Sequence, residues 1–527
     1  MTKKLHQFRS VLLMECILRF RRSTTPILFL ILCGAAFLLM PETKSGGVMF
    51  LIGDRRVLLN SAATSLTSAI MGGLVFSLVG FYLISNSVGR DLRNGVGRLI
   101  AATPLSSLRY LAGKLAGNIL YLFSMAAVYM VACMGMHLLR GEVALEPVVF
   151  AQTFGIMFIP LIPCIAAIAL MFECVPFLSG RSGDVLFFFF WTATLALPPA
   201  LVSASKGHPW ILAADFTGMG FFVKQIIAVT GATNFTIGSA PFNAALSPRF
   251  FPGLEWIPEL VFLRLASLLF TIPFFVIAWA AFRRFDPARR SSRQRTESGR
   301  LIRLWQKLVS VWLRVVVPRG GWIVGPPSFL RASILDVRLT LALSPVFFAA
   351  IAASFLITLF VPMSAIRETV LPAIFVILVP LLAPISTRDR SRNTARLIFS
   401  APCVRPHFAL LKFFSAFLST LILGIMPLLR LGMDDPFGAV AALNGMLFIA
   451  SAATLFGIVT ETPKAFVVIF LLFLYTAASS KGAPPLDFAG LQGMATPAIL
   501  LCYASVSVCM LAAAFGFDRW RMQRDEN

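Results

Sequence analysis

Long apolar runs dominate the chain, and short polar islands separate them. Runs at roughly 26–41, 65–87, 109–138 and 148–173, another opening near Val185, and a sixth at 259–282 fill the first half. Six more follow at roughly 344–362, 369–386, 408–430, 438–459, 465–478 and 496–516. A helix needs about 20 mostly apolar residues to cross a bilayer. The pattern therefore predicts an all-α polytopic membrane protein of about 12 transmembrane helices. An amphipathic segment precedes each set of six. In the first, Leu12, Leu13, Cys16, Ile17 and Phe20 share one helical face, with Glu15 among them. In the second, Phe329–Leu343 carries Asp336 at a similar place. Each reads as an interfacial elbow helix lying along the membrane surface.

Breakers mark the rest. Residues 42–64 read as an outer loop, and Pro198-Pro199 is expected to end the fifth helix. The segment 203–258 is rich in Gly, Pro and Asn, with a half-length apolar piece near Phe216–Val229. It reads as an outer, partly re-entrant region, and its counterpart 479–494 is far shorter. The chain thus divides into a first six-helix half (1–285), a basic linker with its own interfacial helix (286–327) and a second six-helix half (328–527). An even number of helices per half gives both the same orientation, a parallel repeat with both termini cytoplasmic.

One polar island occurs twice. Arg90-Asp91-Leu92-Arg93-Asn94-Gly95-Val96-Gly97-Arg98-Leu99-Ile100-Ala101-Ala102-Thr103-Pro104 runs on to Lys114. A shift of 298 residues superposes it without a gap on Arg388–Lys412. Arg90/Arg388, Asp91/Asp389, Arg98/Arg396, Leu99/Leu397, Ile100/Ile398, Pro104/Pro402 and Lys114/Lys412 are identical. Seven matches in 25 positions exceed the one or two that composition gives by chance, roughly. A short helix carrying Leu99 and Ile100, halted before Pro104, would offer an apolar knob with basic flanks to a soluble partner.

Charge changes the picture in one respect. The net charge of +23 would suit nucleic acid, but the whole excess falls on segments that this topology places inside. That is the positive-inside bias of a membrane protein, with anionic lipid as the second beneficiary. Nucleic acid is therefore not an expected partner, and the lipid bilayer is. The composition, 58% hydrophobic and 13% charged, agrees.

Candidate chemistry is sparse. No GxxxxGK[ST] phosphate loop, HExxH, GxSxG or paired-carboxylate motif is present. The histidines at 6, 137, 208 and 407 lack metal-ligand spacing, and the eight cysteines form no CxxC pair. No catalytic residue, metal or cofactor is expected on this chain. Glu173 and Glu461 lie at the inner ends of the two fourth helices. Glu259 and Arg264 read as a local ion pair at the outer end of the sixth.

The first island resembles the ABC-2 family of ABC-transporter membrane subunits. Arg90-Asp91, Gly95, Arg98-Leu99-Ile100, Thr103-Pro104, Ser106 and Gly113-Lys114 are similar to that family's pattern between its second and third helices. The Glu15 elbow, the six-helix count and the Arg-rich end of helix 6 also fit. The resemblance implies a permease, energised by two copies of a separate ATPase subunit that carry the ATP and Mg, docking at the two islands. It further implies export across a bacterial inner membrane; the many Phe and Met residues would suit a cleft for a lipid-like or hydrophobic substrate, and are equally ordinary helix packing. The second island departs from the pattern: Ala401 replaces Thr103 and no Gly precedes Lys412. The alternative is a non-transporting membrane scaffold or assembly factor that recruits a soluble complex.

Overall fold

The computed structural model describes residues 2–22, 24–40, 47–176, 178, 181–204, 209–232, 234–241, 246–282, 329–343, 345–391, 394, 399, 404–479 and 484–526. The basic linker, and Arg396, Leu397, Ile398 and Pro402 of the second island, lie outside them. The chain falls into two compact units, Met1–Arg290 and Ser291–Asn527.

The protein is a helical, polytopic membrane protein. Seven helical spans among the described residues are long and apolar enough to cross a bilayer: Ser61–Leu92, Ser107–Arg140, Pro147–Cys174, Pro258–Ala281, Arg405–Asp434, Pro436–Thr460 and Pro497–Arg524. Five further apolar helices, at Thr25–Phe37, Leu186–Ala200, Met219–Thr230, Ala350–Phe360 and Pro463–Ala477, are shorter.

In the first unit α1 (Thr2–Phe20) leads into α2 (Thr24–Leu39). Then come α3 (Ser61–Ile84), two short helices α4 (Ser87–Arg93) and α5 (Val96–Ala102), α6 (Ser107–Arg140) and α7 (Pro147–Cys174). The unit closes with α8 (Arg181–Ala204), α9 (Pro209–Ala214), α10 (Met219–Thr230), α11 (Pro258–Ala266) and α12 (Thr271–Ala281). Helices α3 and α7 form the buried centre. The Asn60 side chain caps α3 by accepting from the Ala63 amide at 2.8 Å.

The segment 42–64 is more than a loop. It holds β1 (Gly47–Ile52) and β2 (Arg55–Arg56), joined by the two-residue turn Gly53-Asp54. Strand β1 also pairs antiparallel with β3 (Phe235–Pro241), giving the order β2-β1-β3. The fold is thus helical with one small sheet, and the sheet ties the two long interhelical segments of this unit together.

Proline does not end α8: Pro198 and Pro199 lie inside it. A helical proline leaves the carbonyl four residues earlier without its donor. Here side chains of neighbouring segments supply it. Thr217 Oγ1 donates to the Thr194 carbonyl at 3.3 Å, four residues before Pro198. Arg264 Nε donates to the Ile156 carbonyl at 3.2 Å, four before Pro160 of α7. In the second unit Ser354 Oγ donates to the Leu423 carbonyl at 3.1 Å, four before Pro427. Re-satisfied backbone is what makes proline tolerable in hydrocarbon.

The second unit contains α13 (Phe329–Leu343), α14 (Pro345–Phe360), α15 (Leu371–Leu382) and a single turn α16 (Arg388–Ser391). The long helices α17 (Phe408–Asp434) and α18 (Pro436–Thr460) follow, then α19 (Pro463–Ser479) and α20 (Pro497–Glu526). A π-helical turn, Ile366–Val370, leads into α15.

Candidate functional site

The first island, the elbow and the start of α6 meet in a buried ionic network. Glu15, 1% exposed, stands at its centre. Its carboxylate lies 2.9 Å from Arg19 Nε, 2.8 Å from an Arg90 guanidinium nitrogen and 2.6 Å from Lys114 Nζ. Lys114 also reaches Asp91 at 2.8 Å, and the Tyr110 hydroxyl donates to Asp91 at 2.7 Å. Arg19 goes on to the Ile84 carbonyl at 3.1 Å and Asn118 Oδ1 at 2.5 Å. Glu173, from the end of α7, accepts from the Ser87 and Val88 amides at 2.8 and 2.6 Å and so caps α4. Three carboxylates (Glu15, Asp91, Glu173) thus balance three cations (Arg19, Arg90, Lys114). Neutrality is the condition for burying charge at tolerable cost. Burial pushes the Glu15 carboxyl up, and Lys114, Arg19 and Arg90 more than reverse this, leaving it below its ordinary value.

Close approach makes the network possible. A Cβ on Gly117 would sit 2.9 Å from Glu15 Cβ, so the small residue lets α1 lie against α6. The elbow accordingly turns Glu15, Cys16 and Arg19 inward, while Leu13, Ile17 and Phe20 stay exposed. The apolar face expected along the membrane surface is split. Cys16 packs inward, and the remaining apolar side chains point outward as they would toward lipid.

The second unit contains a matching cluster. Asp336 lies 2.5 Å from an Arg388 guanidinium nitrogen and 2.9 Å from Lys412 Nζ. Lys412 reaches Asp389 at 2.6 Å. Lys114 lies over the Tyr110 ring at 5.6 Å, and Lys412 over the Phe408 ring at 5.3 Å. The differences are coordinated. Arg19, four residues after Glu15, is answered by Thr340, four after Asp336, whose hydroxyl accepts from Arg388 at 3.2 Å. Its partner Asn118 is answered 298 positions later by Ala416, which is buried. One cation and its hydrogen-bond acceptor are missing together, and two carboxylates still balance two cations. Glu461 differs from Glu173: it is half exposed and pairs with Arg390 at 2.8 Å and Arg521 at 2.7 Å.

The island residues therefore separate into two groups. Asp91, Lys114, Arg388, Asp389 and Lys412 are buried in ion pairs, Arg90 is half-buried in one, and none of them forms an open docking face. Arg98, Leu99, Thr103 and Pro104 are exposed on and after α5. Leu99 is 70% exposed. Ile100 instead packs down on the cluster of Val88, Tyr110, Leu111 and Leu170. The knob is thus Leu99, and Ile100 is its anchor. Gly95 starts α5 at φ +75°, a conformation that favours glycine.

Sequence reasoning missed Arg19, Tyr110 and Asn118. Two signals were available: the i,i+4 spacing of Glu15 and Arg19, and an aromatic residue one turn before the lysine in both islands. Arg264 was misplaced. It is fully buried, donates to the carbonyls of Ile156, Asp215 and Met157, and leaves Glu259 exposed. The carbonyl that Pro160 frees and the buried Asp215 beside it account for this burial, and Glu259 does not. Comparison of the chain with protein families, curated proteins and solved structures returned no match.

Proposed function

We propose that this protein is the membrane-spanning permease subunit of an ABC transporter, built from two parallel six-helix repeats. Separate ATPase subunits bind at the islands and supply the ATP hydrolysis that this chain has no motif for. The observation that supports this best is the mounting of α5. Leu99 and Arg98 project from it, Ile100 packs its underside on Val88 and Tyr110, and Arg90 and Asp91 of the preceding α4 are ion-paired to the elbow and to Lys114 of α6. A push on Leu99 is then delivered to three elements as one body. The matching cluster around Asp336 supports a second docking point and the repeat. Both termini lie on the docking side in this reading, and the exposed apolar elbow face rests on the inner leaflet of a bacterial cytoplasmic membrane. Export of a lipid-like or hydrophobic compound is the transport direction and substrate class we favour.

The test is co-purification of the chain with an ATPase encoded beside it, followed by ATP-driven transport in vesicles. Wild-type protein should retain the ATPase, and R98E/L99D should lose it while remaining folded. Retention of the ATPase by R98E/L99D, with unchanged transport, refutes the assignment. ATPase binding without any transport favours the scaffold reading instead.

A further inference from the structure

At the end of α3 and α7 remote from the ionic network, the first unit holds a cavity of about 310 Å³. Its floor is polar but already committed. Asn60 donates to the Phe251 carbonyl at 2.7 Å, Ser61 Oγ accepts from the Glu146 amide at 2.9 Å, and Thr153 bonds Ser65 at 3.3 Å. Two lining groups are uncommitted. The Glu146 carboxylate and the Gln152 amide make no side-chain hydrogen bond or ion pair among the described residues. Phe250 and Trp256 complete the wall and stand 62% and 44% exposed.

The aromatic wall is held in place. Buried Gln225 of α10 donates to the Glu255 carbonyl at 2.9 Å and accepts from the Glu255 amide at 3.3 Å. Next to Phe250, Phe251 is buried edge-on against Phe50 of the sheet at 5.6 Å. Two apolar rings are thus kept facing solvent beside an unpaired carboxylate, by buried polar bonds that fix the backbone around them. An aromatic surface with a carboxylate attracts cations through both the ring quadrupole and the full charge.

We propose that this cavity binds an organic cation carrying an alkylated ammonium group. Glu146 and Gln152 offer free acceptors on one side of the cavity, but the two rings offer a primary ammonium no acceptor for its N–H bonds. A quaternary ammonium needs none and gains from the rings. The same chemistry arrives as a free small cation or as a choline lipid headgroup. The inference rests on this end of the first unit alone and does not depend on ATPase docking.

The probe is radiolabelled choline, with the full chain in nanodiscs of phosphatidylglycerol and no ATPase present. Saturable binding is expected. E146Q and W256A should each weaken it at least about tenfold, and ethanolamine should compete much less well than choline. Displacement of choline by phosphatidylcholine nanodiscs identifies the headgroup as the source, and no displacement identifies the free cation; either supports the site. Because both substituted residues are exposed, size-exclusion profiles should match wild type. Absence of saturable choline binding overturns the proposal. So does binding unchanged in both variants, which would make Phe250 and Trp256 interfacial anchors only.

Discussion

Substituting Glu15 with glutamine tests the ionic network most directly. The carboxylate contacts three cations at 2.6 to 2.9 Å. With charge centres about 4 Å apart and an effective dielectric near 20, each attraction is about 4 kcal/mol. Desolvating the carboxylate takes back several kcal/mol. E15Q also leaves the three cations of the network facing two carboxylates. The expected loss is about 3–5 kcal/mol, the range for breaking a buried pair from one side. In the double variant E15Q/K114Q, charge balance returns, so the two losses should fall short of additive by more than about 1 kcal/mol. The assay is thermal unfolding in detergent, paired with protease sensitivity of the α1–α2 junction to report elbow release. Additive losses in the double variant, or an elbow no more accessible in E15Q than in wild type, would refute the network as a clamp. The same variant has a pH signature. Because the folded-state pKa of Glu15 is depressed, its contribution is complete above its unfolded value, about 4.5. It is lost as pH falls through the lower folded value. Wild-type elbow release should therefore appear on acidification below about 4.5, and the Glu15 share of that transition should vanish in E15Q.

Three further outcomes are expected. L99D should change stability by no more than about 0.5 kcal/mol, as for an exposed position, yet abolish ATPase capture in the co-purification assay. D336N should be milder than E15Q in the same thermal assay, because Asp336 holds two cations where Glu15 holds three. R264L should destabilise by about 3 kcal/mol, since it strips donors from three buried carbonyls. That loss should shrink by about 1 kcal/mol in a P160A background, where alanine restores an amide to the Ile156 carbonyl; an undiminished loss would show that Arg264 serves something other than the proline.

The sequence made some levels of this structure legible and hid others. Apolar run length located the helices, because membrane insertion is governed by local composition. It could not tell a full span from a partial one at Thr25–Phe37 or Pro463–Ala477, where length is marginal. The matched islands drew attention to Arg90, Asp91 and Lys114, and the structure places all three in ion pairs rather than on an open face. Burial of a charge depends on partners such as Glu15, 75 residues earlier in the chain, and no local pattern reveals that. The sheet was missed although Gly53-Asp54 between an apolar and a polar segment is a hairpin signal; β3 lies beyond helices α3 to α10 in the chain, and its pairing is non-local. Leu99 was read correctly as a projecting residue, and its neighbour Ile100 was not, since a seven-residue helix fixes which of two adjacent side chains faces out only once its base is docked.

The proline carbonyls set an order of events for the growing chain. Helix α7, with Pro160, is synthesised about a hundred residues before Arg264, the side chain that completes its backbone. In the interval the Ile156 carbonyl must keep another donor, such as water or the insertion machinery. The apolar helix that carries Arg264 is itself poorly suited to lipid while that guanidinium has no carbonyls to bind. Each segment is thus a debtor to the other. Their docking converts two helices that insert badly alone into one that is stable together, so release of α7 into the bilayer should wait for α11.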